Sequence, residues 1–344
     1  FIAIPGVMFS REFLLLMGGT QEMADQNHTF PAIIFGTNSI VMLLFIINAV
    51  FRSSGDAAIS LRVIFVANII NMVLDPLLIF GWGPVPAMGI TGAAVATTTG
   101  RTIGVIYQFF LLSNRHHRIS VSLKDLKVKT AVMWELLKVS MGGIFQNLIA
   151  TSSWILLVRI IAVSGAAALA GYTIAIRIIV FALLPAWGLS NAAATLVGQN
   201  LGAGYPARAE RSVWITSYFN MVLMGIIGLF LFLFPGTFIQ IFIREAEVVA
   251  QGIVALRIIS IGFLFYGLSM VMVQSFNGSG DTLTPTIINF FGFWLIEIPL
   301  AWFLAIALNL KMEGACISIV VAESLIAIAA LWLFRKGKWK LQKV

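Results

Sequence analysis

An amide, an acid and a proline stand close together in Asn71-Met72-Val73-Leu74-Asp75-Pro76. Asn71 precedes Asp75 by four residues, so both polar groups point to one face of a helix. They sit inside an apolar run long enough to enter a bilayer. A charged side chain at mid-bilayer costs about 2.5–3.5 kcal/mol on insertion scales and is seldom kept there without a use. Pro76 removes a backbone donor beside the acid and loosens the helix at that point. A carboxylate and a carboxamide so placed can hold a proton or a monovalent cation. The plain alternative is a structural hydrogen bond from Asp75 to Asn71 or to a helix backbone. A second acid, Glu297, precedes Pro299 in another apolar run and rivals Asp75. Its plain reading is an ion pair with a buried arginine such as Arg177 or Arg257. The residues alone leave the choice between the two acids open, and Glu323 reads as a residue near a membrane interface.

The elements that must position these groups are membrane helices. Only 10% of the 344 residues are charged, against about a quarter in a soluble domain, and 60% are hydrophobic. The mean hydropathy is +0.98. Apolar runs of eighteen or more residues recur along the whole length, which predicts spanning helices and excludes barrel strands. The net charge of +8 therefore calls for a membrane reading before a nucleic-acid one. Cys316 is the only cysteine, so no internal disulfide forms. His28, His116 and His117 have no metal-ligand spacing with other ligand types, and no resident metal is expected. Gly198–Gly204 lacks both the Lys-Ser/Thr ending and the preceding strand of a phosphate loop. No nucleophile–base pair suggests an enzyme.

The apolar pattern predicts nine spans, at about 30–51, 61–81, 88–112, 134–163, 167–197, 212–235, 248–275, 284–308 and 314–334. Residues 10–29 read as a polar or interfacial connection carrying Glu12, Glu22 and Asp25, and Pro185 predicts a kink in the fifth span. Basic residues gather in alternate connections. These are Arg52 and Arg62; Arg115, Arg118, Lys124, Lys127 and Lys129; Arg208 and Arg211; and a tail with Arg335, Lys336, Lys338, Lys340 and Lys343. With nine spans all of these fall on one side, which predicts a cytoplasmic basic face and a cytoplasmic C-terminus.

The chain also repeats itself. Phe51-Arg52-Ser53-Ser54-Gly55-Asp56 resembles Phe276-Asn277-Gly278-Ser279-Gly280-Asp281, Asp75-Pro76-Leu77 resembles Ile298-Pro299-Leu300, and Gly92-Ala93-Ala94 resembles Gly314-Ala315-Cys316. Asp56 to Asp281, Pro76 to Pro299 and Gly92 to Gly314 are 225, 223 and 222 residues apart. Three anchors at nearly one offset predict two homologous halves related by an axis along the membrane normal. Full symmetry needs six spans before the one starting near 134. Together with the opening Phe1-Ile2-Ala3-Ile4-Pro5-Gly6, which has no initiator Met and reads as a helix end, this predicts that the first two to three helices are missing. The expected domains are residues 1–130, a partial N-lobe, and residues 131–344, a C-lobe with a basic tail.

Three stretches resemble the multidrug and toxic compound extrusion (MATE) transporters. They are Ser54–Asp56 through Asn71–Gly81 to Gly89–Thr97, then Asn191–Gly204, then Asn277–Thr286. Their order and spacing match the family over essentially the whole chain. The resemblance implies an all-α integral membrane protein of two pseudo-symmetric six-helix lobes, with the nine spans as the family's helices four to twelve. It further implies export of amphipathic, often cationic compounds against inward flow of protons or sodium. In the family's archaeal, DinF-like branch a polar N-lobe cluster handles the cation. Asn71, Asp75 and Thr97 match that cluster, and Asn48 matches a nearby residue of the substrate cleft. Sodium would take oxygens from those three residues. Thr97 has an equal alternative, a bond to its own helix carbonyl. The NorM-like branch uses acids in the seventh and tenth helices. Here the seventh offers Gln146 and Asn147 and the tenth offers Gly267 and Ser269, a departure that favours the N-lobe mechanism.

These features predict a secondary antiporter in the cell (inner) membrane, with no cofactor beyond a coupling proton or sodium ion. The expected partners are a small amphipathic substrate and the lipid bilayer, with no nucleic acid, and the expected state is a monomer. The alternative is a lipid-linked precursor flippase of the same superfamily. That activity calls for clustered cations to hold pyrophosphate, and Arg101, Arg159, Arg177 and Arg257 are few and scattered.

Overall fold

In hydrocarbon a backbone must satisfy its own polar groups, and the apolar stretches do so as helices. The structure is a computed structural model that describes residues 3–16, 20–113, 119–121 and 129–342. Arg115, His116, His117, Arg118, Lys124, Lys127 and Lys343 lie outside the described residues. The chain divides into two compact units, Phe1–Lys127 and Val128–Val344.

In the first unit, α1 (Ala3–Met8), α2 (Ser10–Leu16), α3 (Gln21–Asn27) and α4 (Thr29–Gly36) are short. The connection expected over 10–29 is thus largely helical. An Arg11–Asp25 ion pair ties α2 to α3, and the guanidinium holds the Asp25 carboxyl below the ordinary carboxylate range. The unit continues with α5 (Asn38–Ser53), α6 (Ala57–Phe80) and α7 (Gly89–Ser113). Helices α4 and α5 together form the first span, bent by 42°. Thr37 stands at that bend and donates its hydroxyl to the Ile33 carbonyl at 2.7 Å, a back-bond of the kind that bends helices. Apolar side chains of α5, α6 and α7, among them Leu44, Phe51, Val63 and Val105, make its core.

The second unit runs through α8 (Thr130–Ala162), α9 (Ala166–Gly202), α10 (Pro206–Leu233), α11 (Pro235–Gln240), α12 (Ala246–Ile261) and α13 (Phe263–Gly278). Then come α14 (Leu283–Asn289), a π-helical turn over Phe290–Glu297, α15 (Ile298–Trp302), a second π turn over Phe303–Ala307 and α16 (Lys311–Arg335). Helix α9 runs unbroken through Pro185. A sharp bend falls at Gly262, where α12 and α13 meet at 55°. Beyond α16, Trp339 stacks on Phe334 at 4.8 Å, and Lys340 pairs with Glu210 of α10 at 2.6 Å. The basic tail is thereby pinned to the bundle.

Six described helices are long and apolar enough to cross a membrane, and the two bent pairs raise this to eight. The ninth expected span is α7. Its 25 residues suffice in length, but Thr97-Thr98-Thr99-Gly100-Arg101-Thr102 dilutes its apolar character. The internal repeat appears as one turn built twice. Gly55 and Gly280 both take left-handed backbone, φ 93° and 83°. Asp56 N–H bonds the Phe51 carbonyl at 2.9 Å and Asp281 N–H bonds the Phe276 carbonyl at 3.0 Å. The Ser54 and Ser279 hydroxyls bond those same two carbonyls, each at 2.8 Å. The capping differs between the copies. Asp281 accepts the Thr284 N–H at 3.0 Å, whereas Asp56 stands at the N-cap of α6 without that bond.

Candidate functional site

The first-unit cluster forms from one helix and its neighbour. Four-residue spacing on α6 sets Asn71 over Asp75, and the Asn71 Nδ2 donates to Asp75 Oδ1 at 3.2 Å. The same nitrogen donates to Thr97 Oγ1 of α7 at 3.3 Å. The contact across helices depends on Gly100, where a Cβ would lie 2.7 Å from the Ala67 carbonyl and 3.3 Å from the Asn71 Cβ. A small residue there lets α7 lie against α6. α6 stays helical through Pro76. Asp75, Asn71 and Thr97 are each partly buried. Asp75 Oδ1 and Thr97 Oγ1 thus both accept from the one Asn71 amide nitrogen. This is a hydrogen-bonded set of a carboxylate, an amide and a hydroxyl, able to take up a proton or to offer oxygens to a monovalent cation.

Asn48, the residue matched to the substrate cleft, is buried. It is 1% exposed, inside α5, and neither of its amide atoms has a hydrogen-bond partner in the structure. It lies in the buried interior of the first unit, on the inward face of α5 with Leu44, Ile47 and Phe51.

Glu297 closes the first π turn and is 6% exposed. Among the described residues no ion pair joins it to Arg177, Arg257 or any other base. Arg177 instead lines a separate groove beside Trp154 and Tyr172. Glu323 likewise does not sit at an interface. It lies mid-way along α16 and accepts a hydrogen bond from Ser269 of α13 at 3.2 Å. It forms part of the wall of a chamber of about 540 Å³ within the second unit. Gln146, Gln274 and Asn277 line the same chamber and are joined by side-chain bonds. Gln146 Nε2 donates to Asn277 Oδ1 at 3.1 Å, Asn277 Nδ2 donates to Gln274 Oε1 at 2.6 Å, and Gln274 Nε2 donates to Asn191 Oδ1 at 3.2 Å. Sequence reasoning passed over this ladder, since its members come from α8, α9 and α13. The one available signal was Glu323 itself, an acid inside an apolar run.

Comparison with known proteins agrees with this architecture. The chain is 29% identical over 306 residues to a probable multidrug resistance protein NorM of Thermotoga maritima, covering 88% of this chain and 65% of that protein. It is 22% identical to a probable multidrug resistance protein YoeA of Bacillus subtilis, covering all of this chain and 74% of that one. The chain thus spans about two thirds to three quarters of the length of these relatives. Among solved structures it superposes on a MOP superfamily transporter from Pyrococcus furiosus with a TM-score of 0.91 at 20% identity, covering 100% of this chain and 76% of that one, which shows the shared fold. The MatE family model matches residues 1–77 and 143–303, more than half of the sequence, and the chain belongs to that family of multi-pass membrane transporters.

Proposed function

We propose that the protein is a secondary active antiporter that exports amphipathic or cationic organic compounds in exchange for protons or sodium ions. The observation that carries this reading is the Asn71–Asp75–Thr97 set, an acid held by an amide and a hydroxyl on two packed helices of the first unit. In the cycle, Asp75 is ionised while substrate is held. Entry of a proton or sodium neutralises it, releases Asn71 from its present bonds and repacks α6 near Pro76, which lowers the affinity for substrate. Such competition needs only that each ligand prefers a different packing. Relatives named as multidrug resistance proteins support the substrate class. The protein resides in the inner membrane as a monomer, with the basic connections and tail cytoplasmic, in line with the charge bias of the loops.

The test is drug efflux from everted vesicles, wild type against Asp75→Asn, driven first by a proton gradient and then by a sodium gradient. Loss of driven efflux with substrate binding retained supports coupling at Asp75, and the gradient that works names the ion. Unimpaired efflux in the variant sinks the mechanism.

A further inference from the structure

Between α10 and α12 the short helix α11 lies on the surface of the second unit. Helix α10 crosses the membrane from the basic connection that holds Arg208 and Arg211, so α11 stands at the opposite membrane face. Small residues seat it against α12. A Cβ on Gly236 would lie 3.4 Å from Ile253 Cδ1 of α12, and one on Gly252 of α12 would lie 3.0 Å from Ile239 Cδ1 of α11. Ile239 is buried in this contact, while Phe234, Ile241 and Phe242 beside it are exposed. Apolar side chains left bare at the end of a membrane span mark a surface that meets lipid.

A groove of about 790 Å³ opens between α11 and α12, and its wall has two characters. Thr237, Gln240 and Arg244 supply polar groups, and Val249, Ala250 and Ile253 of α12 supply an apolar side. Among the described residues, none of the three polar side chains makes a hydrogen bond or an ion pair within the protein. Arg244 is the only charged residue on the described wall. Glu245 and Glu247 follow it in sequence, yet neither pairs with it among the described residues. A guanidinium presents parallel N–H donors that match phosphate oxygens, and a hydroxyl and a carboxamide can serve the rest of a headgroup. A soluble anion would leave the apolar side bare. A zwitterionic lipid would bring its own cation towards the arginine. An anionic lipid satisfies both halves of the wall.

We propose that the groove between α11 and α12 is a binding site for an anionic phospholipid. Its phosphate meets Arg244, its headgroup hydroxyls meet Thr237 and Gln240, and one acyl chain lies along Val249, Ala250 and Ile253. Occupancy of this site does not depend on the antiport reading.

The experiment uses the purified protein in detergent with phosphatidylglycerol that carries a photoreactive diazirine in one acyl chain, and the crosslinked residues are mapped by peptide mass spectrometry. In the wild type, crosslinks fall within the segment Val249 to Ile253. Unlabelled phosphatidylglycerol competes them away, whereas phosphatidylethanolamine of the same chains and glycerol 1-phosphate do so at least about tenfold less well. Arg244→Gln weakens labelling of this segment by about tenfold, as the loss of one charge-assisted contact predicts. Ala250→Trp fills the apolar side, leaves the charge in place and also abolishes the labelling. Absence of crosslinks in this segment overturns the proposal, as does wild-type labelling in Arg244→Gln. Equal competition by phosphatidylethanolamine overturns the anionic preference, and equal competition by glycerol 1-phosphate makes the groove a site for soluble anions. If Arg244→Gln does not purify as a folded species, Ala250→Trp decides: lost labelling supports the groove, and retained labelling overturns it.

Discussion

The two units keep their acids in opposite ways. In the first, Asp75 is tied by Asn71 from its own helix, and Thr97 of the neighbouring helix is tied to that same amide. In the second, Glu297 and Glu323 come from different elements, have no base among the described residues, and one of them faces a chamber. Yet both units contain the same Gly-Asp turn with the same backbone bonds. A duplicated scaffold has therefore kept its turns and changed its polar interior.

Substitutions can break or sharpen that contrast. The largest effect is expected from Asp75→Asn, which removes the ionisable group of the first-unit set. Gradient-driven efflux falls by about 100-fold, equal to roughly 2.7 kcal/mol, in initial rates from everted vesicles. A smaller fall would move part of the coupling elsewhere. Gly100→Leu comes next. Its side chain meets the Ala67 carbonyl and pushes α7 from α6, costing about 1–3 kcal/mol, seen as a lower midpoint of thermal unfolding in detergent. An unchanged midpoint would mean that α7 is not close-packed there.

Thr97→Ala deletes one hydroxyl bond between membrane helices, worth about 0.6 kcal/mol on average. Half-maximal coupling-ion concentration shifts by roughly threefold, measured as efflux against ion concentration. A shift as large as that of Asp75→Asn would make Thr97 an obligatory ligand. The smallest effect is expected from Glu297→Gln, an isosteric change at the buried acid that closes the first π turn. Driven efflux stays within about twofold of wild type. Abolished efflux would carry the coupling chemistry into the second unit and reverse the comparison.

How much of this was legible in the sequence follows from where each contact closes. The Asn71–Asp75 bond lies within one helical turn, so spacing alone predicts it. The Thr37 bend, the Gly262 bend and the π turns before and after Ile298–Trp302 were not legible, while the kink expected at Pro185 did not interrupt α9. A helix bends where a back-bond, an inserted turn or a neighbour's packing requires it, and a proline can be absorbed. Asn48 shows the same limit, since its residue type is polar but its face of α5 points inward.

By itself the sequence determined the class, the helical spans, the duplicated turns and the local pairing on α6. Composition, periodicity and four-residue spacing encode these directly. Only the tertiary structure decided that Thr97 joins Asn71, that Asn48 is buried, that Glu297 has no arginine partner among the described residues, and that Glu323 meets Ser269 beside an amide ladder from other helices. Those outcomes depend on which helix faces meet and how closely small residues let them approach, and no local pattern in one chain states that.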